Sequence, residues 1–397
     1  MTLLKANWNY PSNIRIGAGR IKELAEACKS LGMGAPLLIT DPDLAVLSMV
    51  AHAIGHCENA GLRCGLFSAI QANPTGQNVE AGVRAYQSGG HDGLIAFGGG
   101  SALDAAKAVA LMAGQTRPLW DFEDIGDNWL RVNEAAMAPV VAVPTTAGTG
   151  SEVGRASVII DTEHQVKRII FHPKMLPSLV ILDPELTVGL PAKITAATGL
   201  DALSHNLEAF CAPSYHPMAA GIAVEAIRLI KDYLPRAVAD GTDIEARTQM
   251  LVASSMGAAA FQKGLGAMHA IAHSLGALYN AHHGLLNAIL MPYVLKANRE
   301  VIEERIERLA RYLALEDSSF DGFMTWVLDM RRQLGIPHDL SAIGIDDAQA
   351  VRVGEMSAAD PAAGGNPIKF TPERYAEIFT DAVKGDDFTT HPKGFVM

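Results

Sequence analysis

The sequence predicts a chain of two parts, an α/β layer with a parallel sheet over residues 1–187 and an all-α part over residues 188–397. Three observations predict this. Short apolar runs of buried-strand type alternate with helically periodic segments in the first part only. Pro184, Gly189 and Pro191 then interrupt both periodicities, and beyond Pro191 only long apolar-periodic segments follow.

Taken in order, the first local signal is Gly17-Ala18-Gly19. Lys22 stands where a third glycine would complete the G-x-G-x-x-G dinucleotide fingerprint, so this run reads as a turn. Residues 21–31 have helical spacing and residues 36–40 form a buried strand. Asp41 follows that strand, at a position where a carboxylate accepts hydrogen bonds from an adenosine ribose and repels a 2′-phosphate, which favours NAD over NADP. Thr40-Asp41-Pro42 reads equally well as a turn. Residues 79–88 are helical, and residues 93–97 form a second strand leading into Gly98-Gly99-Gly100-Ser101 and a helix over 102–112. That strand, glycine turn and helix start suit a pyrophosphate, because bare backbone comes close to the ligand and the helix dipole attracts anionic oxygens. Ser101 is a candidate N-cap and phosphate contact.

A third strand, residues 140–143, opens onto Pro144-Thr145-Thr146-Ala147-Gly148-Thr149-Gly150-Ser151-Glu152, whose hydroxyls suit ribose, phosphate or carboxamide. Residues 179–182 form the last strand. Helices are expected over 218–234, 246–260, 301–315 and 372–383. The Ala-, Gly- and Pro-rich run 358–367, which contains Asp360 and Asn366, reads as a mobile loop.

Composition narrows the function classes. The chain has 397 residues, 43 acidic against 32 basic, for a net charge of −11. That balance repels nucleic acid and anionic membranes. No apolar stretch approaches the ~20 residues needed to span a bilayer. Cys28, Cys57, Cys64 and Cys211 show no CxxC spacing, which fits thiols in a reducing cytoplasmic compartment.

In the helical part, Asp201 and His205 stand at i and i+4, one turn apart on one helix face. His269 and His273 repeat that spacing, and His282-His283-Gly284 follows. Of 13 histidines, five lie in these two segments, among Ala, Leu and Gly where a ring without partners is costly to bury. As a set they point to a metal.

Together, Gly98–Lys107, Pro144–Glu152, Gly199–His205 and His269–Gly284 resemble the iron-containing (group III) alcohol dehydrogenase family, in that family's order and over nearly the whole chain. The resemblance implies the dehydroquinate synthase-like/iron-containing alcohol dehydrogenase fold, a Rossmann-like N-terminal domain and a helical C-terminal domain with the active site in the cleft between them. It assigns Asp201, His205, His269 and His283 to a divalent metal, iron by preference with zinc as the alternative. It places His273 beside the nicotinamide and the substrate as a catalytic residue, and it leaves His282 without a ligand role. Gly99, Gly100 and Ser101 would take the pyrophosphate, Thr145, Thr146 and Thr149 the nicotinamide side, Lys167 a place near the cofactor and Asp41 the ribose. It also implies a homodimer.

The chemistry expected is hydride transfer between NAD and a primary alcohol or its aldehyde. Phe261-Gln262-Lys263-Gly264-Leu265-Gly266 resembles the family's 4-hydroxybutyrate dehydrogenase branch. Lys263 is accordingly a candidate partner for a substrate carboxylate, against the alternative of a solvated lysine at a helix end. Competing readings are a dehydroquinate synthase-like or glycerol dehydrogenase-like metal enzyme of the same fold, or a non-catalytic nucleotide-binding relative. Few basic residues surround the ligand motifs, which disfavours a phosphate-binding lyase.

Overall fold

A computed structural model describes residues 12–385. Its elements run β1 (Ile14–Ile16), α1 (Leu24–Ser30), β2 (Pro36–Ile39), α2 (Pro42–Ala45), α3 (Ser48–Asn59), β3 (Gly65–Phe67), α4 (Gly76–Ser88), β4 (Gly93–Gly98), α5 (Gly100–Met112) and β5 (Val140–Pro144). A hairpin of β6 (Ala156–Asp161) and β7 (Val166–Phe171) precedes β8 (Leu179–Leu182). Helices then follow: α6 (Ala192–Cys211), α7 (Pro217–Ala239), α8 (Ile244–Ala260), α9 (Ala267–Tyr279), α10 (His283–Tyr312), α11 (Phe320–Gln333), α12 (Ala350–Ala359) and α13 (Pro372–Lys384).

Six strands pair in parallel in the order β1-β8-β5-β4-β2-β3. Alternate side chains of the central strands serve two separate cores, as the period of two requires. Leu37, Ile39, Leu94, Ala96, Val140 and Ala142 pack on one face with Val79, Leu103 and Val109 of α4 and α5. Leu38, Ile95, Phe97, Val141 and Val143 pack on the other with Leu24, Cys28, Val50 and Cys57 of α1 and α3. Burial on both faces is why these strands are continuous apolar runs.

Packing divides the chain into two compact units. Among the described residues, 12–210 together with 214–263 form one; residues 211–213 and 264–385 form the other. The strand-to-helix change after Leu182 therefore falls inside the first unit, where α7 and α8 pack together. In the second unit α9 packs on α10 and α12, and α12 packs on α13. No helix among the described residues is long and apolar enough to cross a membrane. No disulfide joins the four cysteines.

Several sequence expectations change. The helix expected over 301–315 is the C-terminal half of α10, which runs 30 residues and carries Pro292 within it. Residues 358–367 are not a mobile loop. Helix α12 reaches Ala359, and a 3-10 turn over Pro361–Gly365 follows, capped by Asp360 with Pro361 at its first position.

Candidate active site

β4 and β5 are parallel neighbours, so the glycine turn after one and the hydroxyl-rich loop after the other emerge side by side at the C-terminal edge of the sheet, where α/β proteins hold ligands. The loops touch. A Cβ at Gly99 would stand 3.5 Å from Thr146 Oγ1, and one at Gly100 would meet Thr149 Cγ2 at 2.5 Å. Thus Gly99, Gly100, Thr146 and Thr149 come together, and Thr145 N donates to Gly98 O at 3.0 Å. Gly98 (φ +139°) turns the chain, and the N-cap of α5 is Gly99, with no side-chain cap. Ser101 is therefore not the N-cap: it lies inside the helix and its hydroxyl donates to Ala72 O. The same 72–75 segment receives the hairpin that carries Lys167, since Ile160 pairs with Lys167 and Ile160 N donates to Pro74 O at 2.8 Å.

Asp41 realises the turn: its Oδ1 accepts from Leu44 N at 2.9 Å and caps α2. Leu44 in turn lies against the glycine turn, 3.2 Å from where a Gly98 Cβ would be. Asp41 itself is half-buried.

A buried polar network holds the two loops in place. Lys107, 1% exposed, donates from Nζ to Ser151 O at 3.0 Å and to Ala156 O, and lies 3.2 Å from Asp104 Oδ1. Asp104 also accepts from Ser151 Oγ and from Val158 N. Asp104 and Lys107 carry no role in the sequence expectations, although two opposite charges three residues apart in an otherwise apolar helix are a signal. Adjacent Glu152 is buried, with Ser255 Oγ donating to it at 2.7 Å. Burial pushes its carboxyl above the ordinary range, against the opposing pull of Ser255, a backbone amide and Lys107.

The i, i+4 spacing puts Asp201 and His205 on one face of α6, where both are buried. His205 Nδ1 lies 3.3 Å from Gly148 O in the hydroxyl-rich loop. A carbonyl only accepts, so the proton sits on Nδ1 and Nε2 presents its lone pair, the usual orienting contact behind a metal-ligating imidazole. His269 and His283 face each other with ring centroids 5.4 Å apart, and the Nε2 of each accepts from Asn287 Nδ2 at 3.2 Å. A nitrogen that accepts carries no proton, so each of these rings has an unprotonated Nε2. The ligand atoms of Asp201, His205, His269 and His283 lie within 4.8 Å of one another. Three imidazole nitrogens and one carboxylate oxygen are a donor set that fits Fe(II) or Zn(II).

His273, one turn beyond His269, stacks on His283 (5.3 Å, 15°) and lies 3.0 Å through Nδ1 from Asp360 Oδ2. His282 caps α10, its Nδ1 accepting from Leu285 N. Lys263 is not a solvated helix-end lysine: it is 8% exposed and donates to Ala209 O and Phe210 O, the last carbonyls of α6, at 2.9 and 2.8 Å. Cations at a helix C-terminus complement its dipole.

Residues 11–184 match the family described as iron-containing alcohol dehydrogenase, and residues 195–383 match the C-terminal region of the Fe-containing alcohol dehydrogenase family. A 4-hydroxybutyrate dehydrogenase of Cupriavidus necator is 36% identical over 384 residues, covering 94% of this chain and 99% of that protein. The NAD-dependent methanol dehydrogenase of Bacillus methanolicus is 34% identical, covering 95% of this chain and all of its own. Among solved structures, a 1,3-propanediol oxidoreductase superposes with a TM-score of 0.90 at 33% identity, over 95% of this chain and 100% of that one.

Proposed function

The chain belongs to the iron-containing alcohol dehydrogenase family and is an alcohol-oxidising or aldehyde-reducing enzyme of it, and from that premise we propose the residues and substrate class as follows. Asp201, His205, His269 and His283 hold one divalent ion, iron by family and zinc as the alternative. When bound, that ion supplies Lewis acidity, which eases loss of an alcohol's proton and polarises the corresponding carbonyl.

The chain's own residues do the rest. Gly99, Gly100 and Ser101 receive the pyrophosphate of NAD, and Thr145, Thr146 and Thr149 line the nicotinamide side. Asp41 takes the adenosine ribose and Lys167 lies near the cofactor. His273 positions the substrate or passes its proton. Residues 1–187 serve the dinucleotide and 188–397 the metal and substrate, although α6 to α8 pack with the first compact unit.

The substrate class is a primary alcohol bearing a carboxylate, such as 4-hydroxybutyrate, which the C. necator relative's name supports. Lys263, the sequence candidate for that carboxylate, spends its ammonium on two carbonyls near the end of α6 and belongs there instead. The protein works as a homodimer, as the family resemblance implies, and its four free cysteines fit a reducing, cytoplasmic setting.

One observation carries the reading of the site: the four-donor set with His205 oriented by Gly148 O. NADH formation from a panel of primary alcohols, with and without a terminal carboxylate, tests it on Fe(II)- and Zn(II)-loaded enzyme. No NADH from any alcohol in either form would sink it. Equal rates with and without the carboxylate would sink the substrate class alone.

A further inference from the structure

We infer that Asp360 is the positioning residue for His273, fixing which ring nitrogen carries the proton and where the other points. The inference rests on the reading of His273 as a catalytic group, but its geometry stands by itself.

The two side chains meet at 3.0 Å, His273 Nδ1 to Asp360 Oδ2, and are only 10% and 11% exposed, so water competes little for the contact. An ionised carboxylate has no proton to donate. It therefore keeps a proton on Nδ1, so that Nε2 is the nitrogen left to accept whenever the ring carries a single proton. The carboxylate is itself fixed, because its second oxygen, Oδ1, accepts from Ala362 N at 2.8 Å as the cap of the 3-10 turn.

Both sides of the contact are braced. One residue along α9, Ser274 Oγ meets Ser357 Oγ of α12 at 3.1 Å. Six residues beyond Asp360, Asn366 Oδ1 accepts from Ala267 N at the start of α9. Asp360 is thus held at a set height against the helix that carries His273. The ring's free face is limited too, since it stacks on His283 with planes 15° apart. A side chain held by a carboxylate at one nitrogen and stacked on one face has a single direction left for its other nitrogen.

A cap alone would also explain an aspartate before Pro361. Asp360→Asn separates the two roles. Asparagine keeps Oδ1 for Ala362 N, so the turn survives, but it presents an NH₂ group to His273. Two donors cannot face each other, so Nδ1 must become the acceptor and the proton moves to Nε2.

The experiment compares wild type, Asp360→Asn, Asp360→Ala and His273→Ala. It reads histidine tautomers by ¹⁵N NMR on zinc-loaded, diamagnetic protein, metal content, kcat, and KM for NAD and alcohol. We expect Asp360→Asn to retain stoichiometric metal and a near-wild-type Tm, to switch His273 from the Nδ1-H to the Nε2-H tautomer, and to lower kcat at least tenfold with KM for NAD unchanged. Asp360→Ala loses the cap as well and melts earlier.

An unchanged His273 tautomer in Asp360→Asn overturns the inference whatever the kinetics. A switched tautomer with wild-type kcat in both Asp360→Asn and His273→Ala upholds the positioning and removes His273 from catalysis, so the two readings fail separately. An unswitched tautomer in Asp360→Asn together with a loss of kcat in His273→Ala alone leaves Asp360 a cap only.

Discussion

Asn298 and Asn366 exchange reciprocal amide hydrogen bonds, 3.0 Å from Asn298 Nδ2 to Asn366 Oδ1 and 2.9 Å in return, with both side chains buried. Asn366 Oδ1 also accepts from Ala267 N, and its Nδ2 also donates to Ile368 O. One amide thus joins α10, the first turn of α9 and the segment after the 3-10 turn.

Asn366→Ala leaves several buried polar groups without their partner, each costing about 1–3 kcal/mol. We expect a clear drop in the urea midpoint of unfolding and weaker metal retention, because His269 lies two residues from Ala267 in the same first turn of α9. A midpoint within error of wild type would show that the neighbouring backbone finds substitutes.

Chelation should abolish turnover and leave NAD binding. The glycine turn and hydroxyl-rich loop are fixed by Lys107, Asp104 and each other, with no need of the ion. Titration calorimetry on folded, metal-free protein checks this, and absent NAD binding would refute the independence. His205→Ala and His269→Ala should each lose bound metal along with activity, measured by elemental analysis.

Asp41→Gly should raise kcat/KM for NADP relative to NAD, because the carboxylate that repels a 2′-phosphate is gone. Glycine is itself a tolerable N-cap, so lost capping of α2 should cost only a few tenths, about 0.3 kcal/mol. Steady-state kinetics with both cofactors decide. A wild type that already uses the two equally would remove Asp41 from the ribose.

Gly100→Ala should raise KM for NAD about tenfold or more, with little change in kcat for saturated enzyme, since ~1.4 kcal/mol of misfit is a factor of ten. The added methyl would overlap Thr149 Cγ2 at 2.5 Å and spread the two loops. Thr149→Ser in the same chain removes that methyl and should recover part of the loss. No recovery would mean that the overlap is relieved elsewhere.

Glu152 sets a pH dependence of stability. Its carboxyl is raised by burial, so over the range between the ordinary glutamate value and the raised one, the folded chain keeps a proton that the unfolded chain gives up. Stability must then fall as pH rises through that range. Glu152→Gln keeps an acceptor for Ser255, carries no charge, and should be more stable than wild type at pH 7 with the gap closing below pH 4. Urea midpoints at several pH values test the sign; a gap that widens toward acid would contradict it.

What could be read in the sequence follows from how local each signal is. Strands β2, β4, β5 and β8 are buried on both faces and so are written as apolar runs, whereas β1 and β3 are three-residue edge strands whose pairing is set by partners far along the chain. Asp201 with His205 and His269 with His273 are legible because one helical turn joins them. The partners of His273, Lys263 and Ala267 lie 87, 54 and 99 residues away, so no spacing announces them. Ser101 misled because a hydroxyl after glycines resembles a cap, while the backbone of Gly99 already had the extended geometry a cap needs. The small residues of 358–367 suggested mobility, when their smallness lets the segment pack tightly: a Cβ on Gly365 would strike Leu265 O at 2.1 Å.

The pairing of β1 with β8 also constrains how the protein is made. Ile14 aligns with Val180, and Gly19 N and Ile21 N both donate to Asp183. A nascent chain must therefore carry its first strand without a partner until more than 160 further residues have emerged. Closing so long a loop is entropically slow, and an open parallel edge invites pairing with another chain. The moment of greatest aggregation risk in this protein's synthesis is thus the interval before β8 emerges and pairs with the waiting β1, and overproduction at high temperature should fail there first.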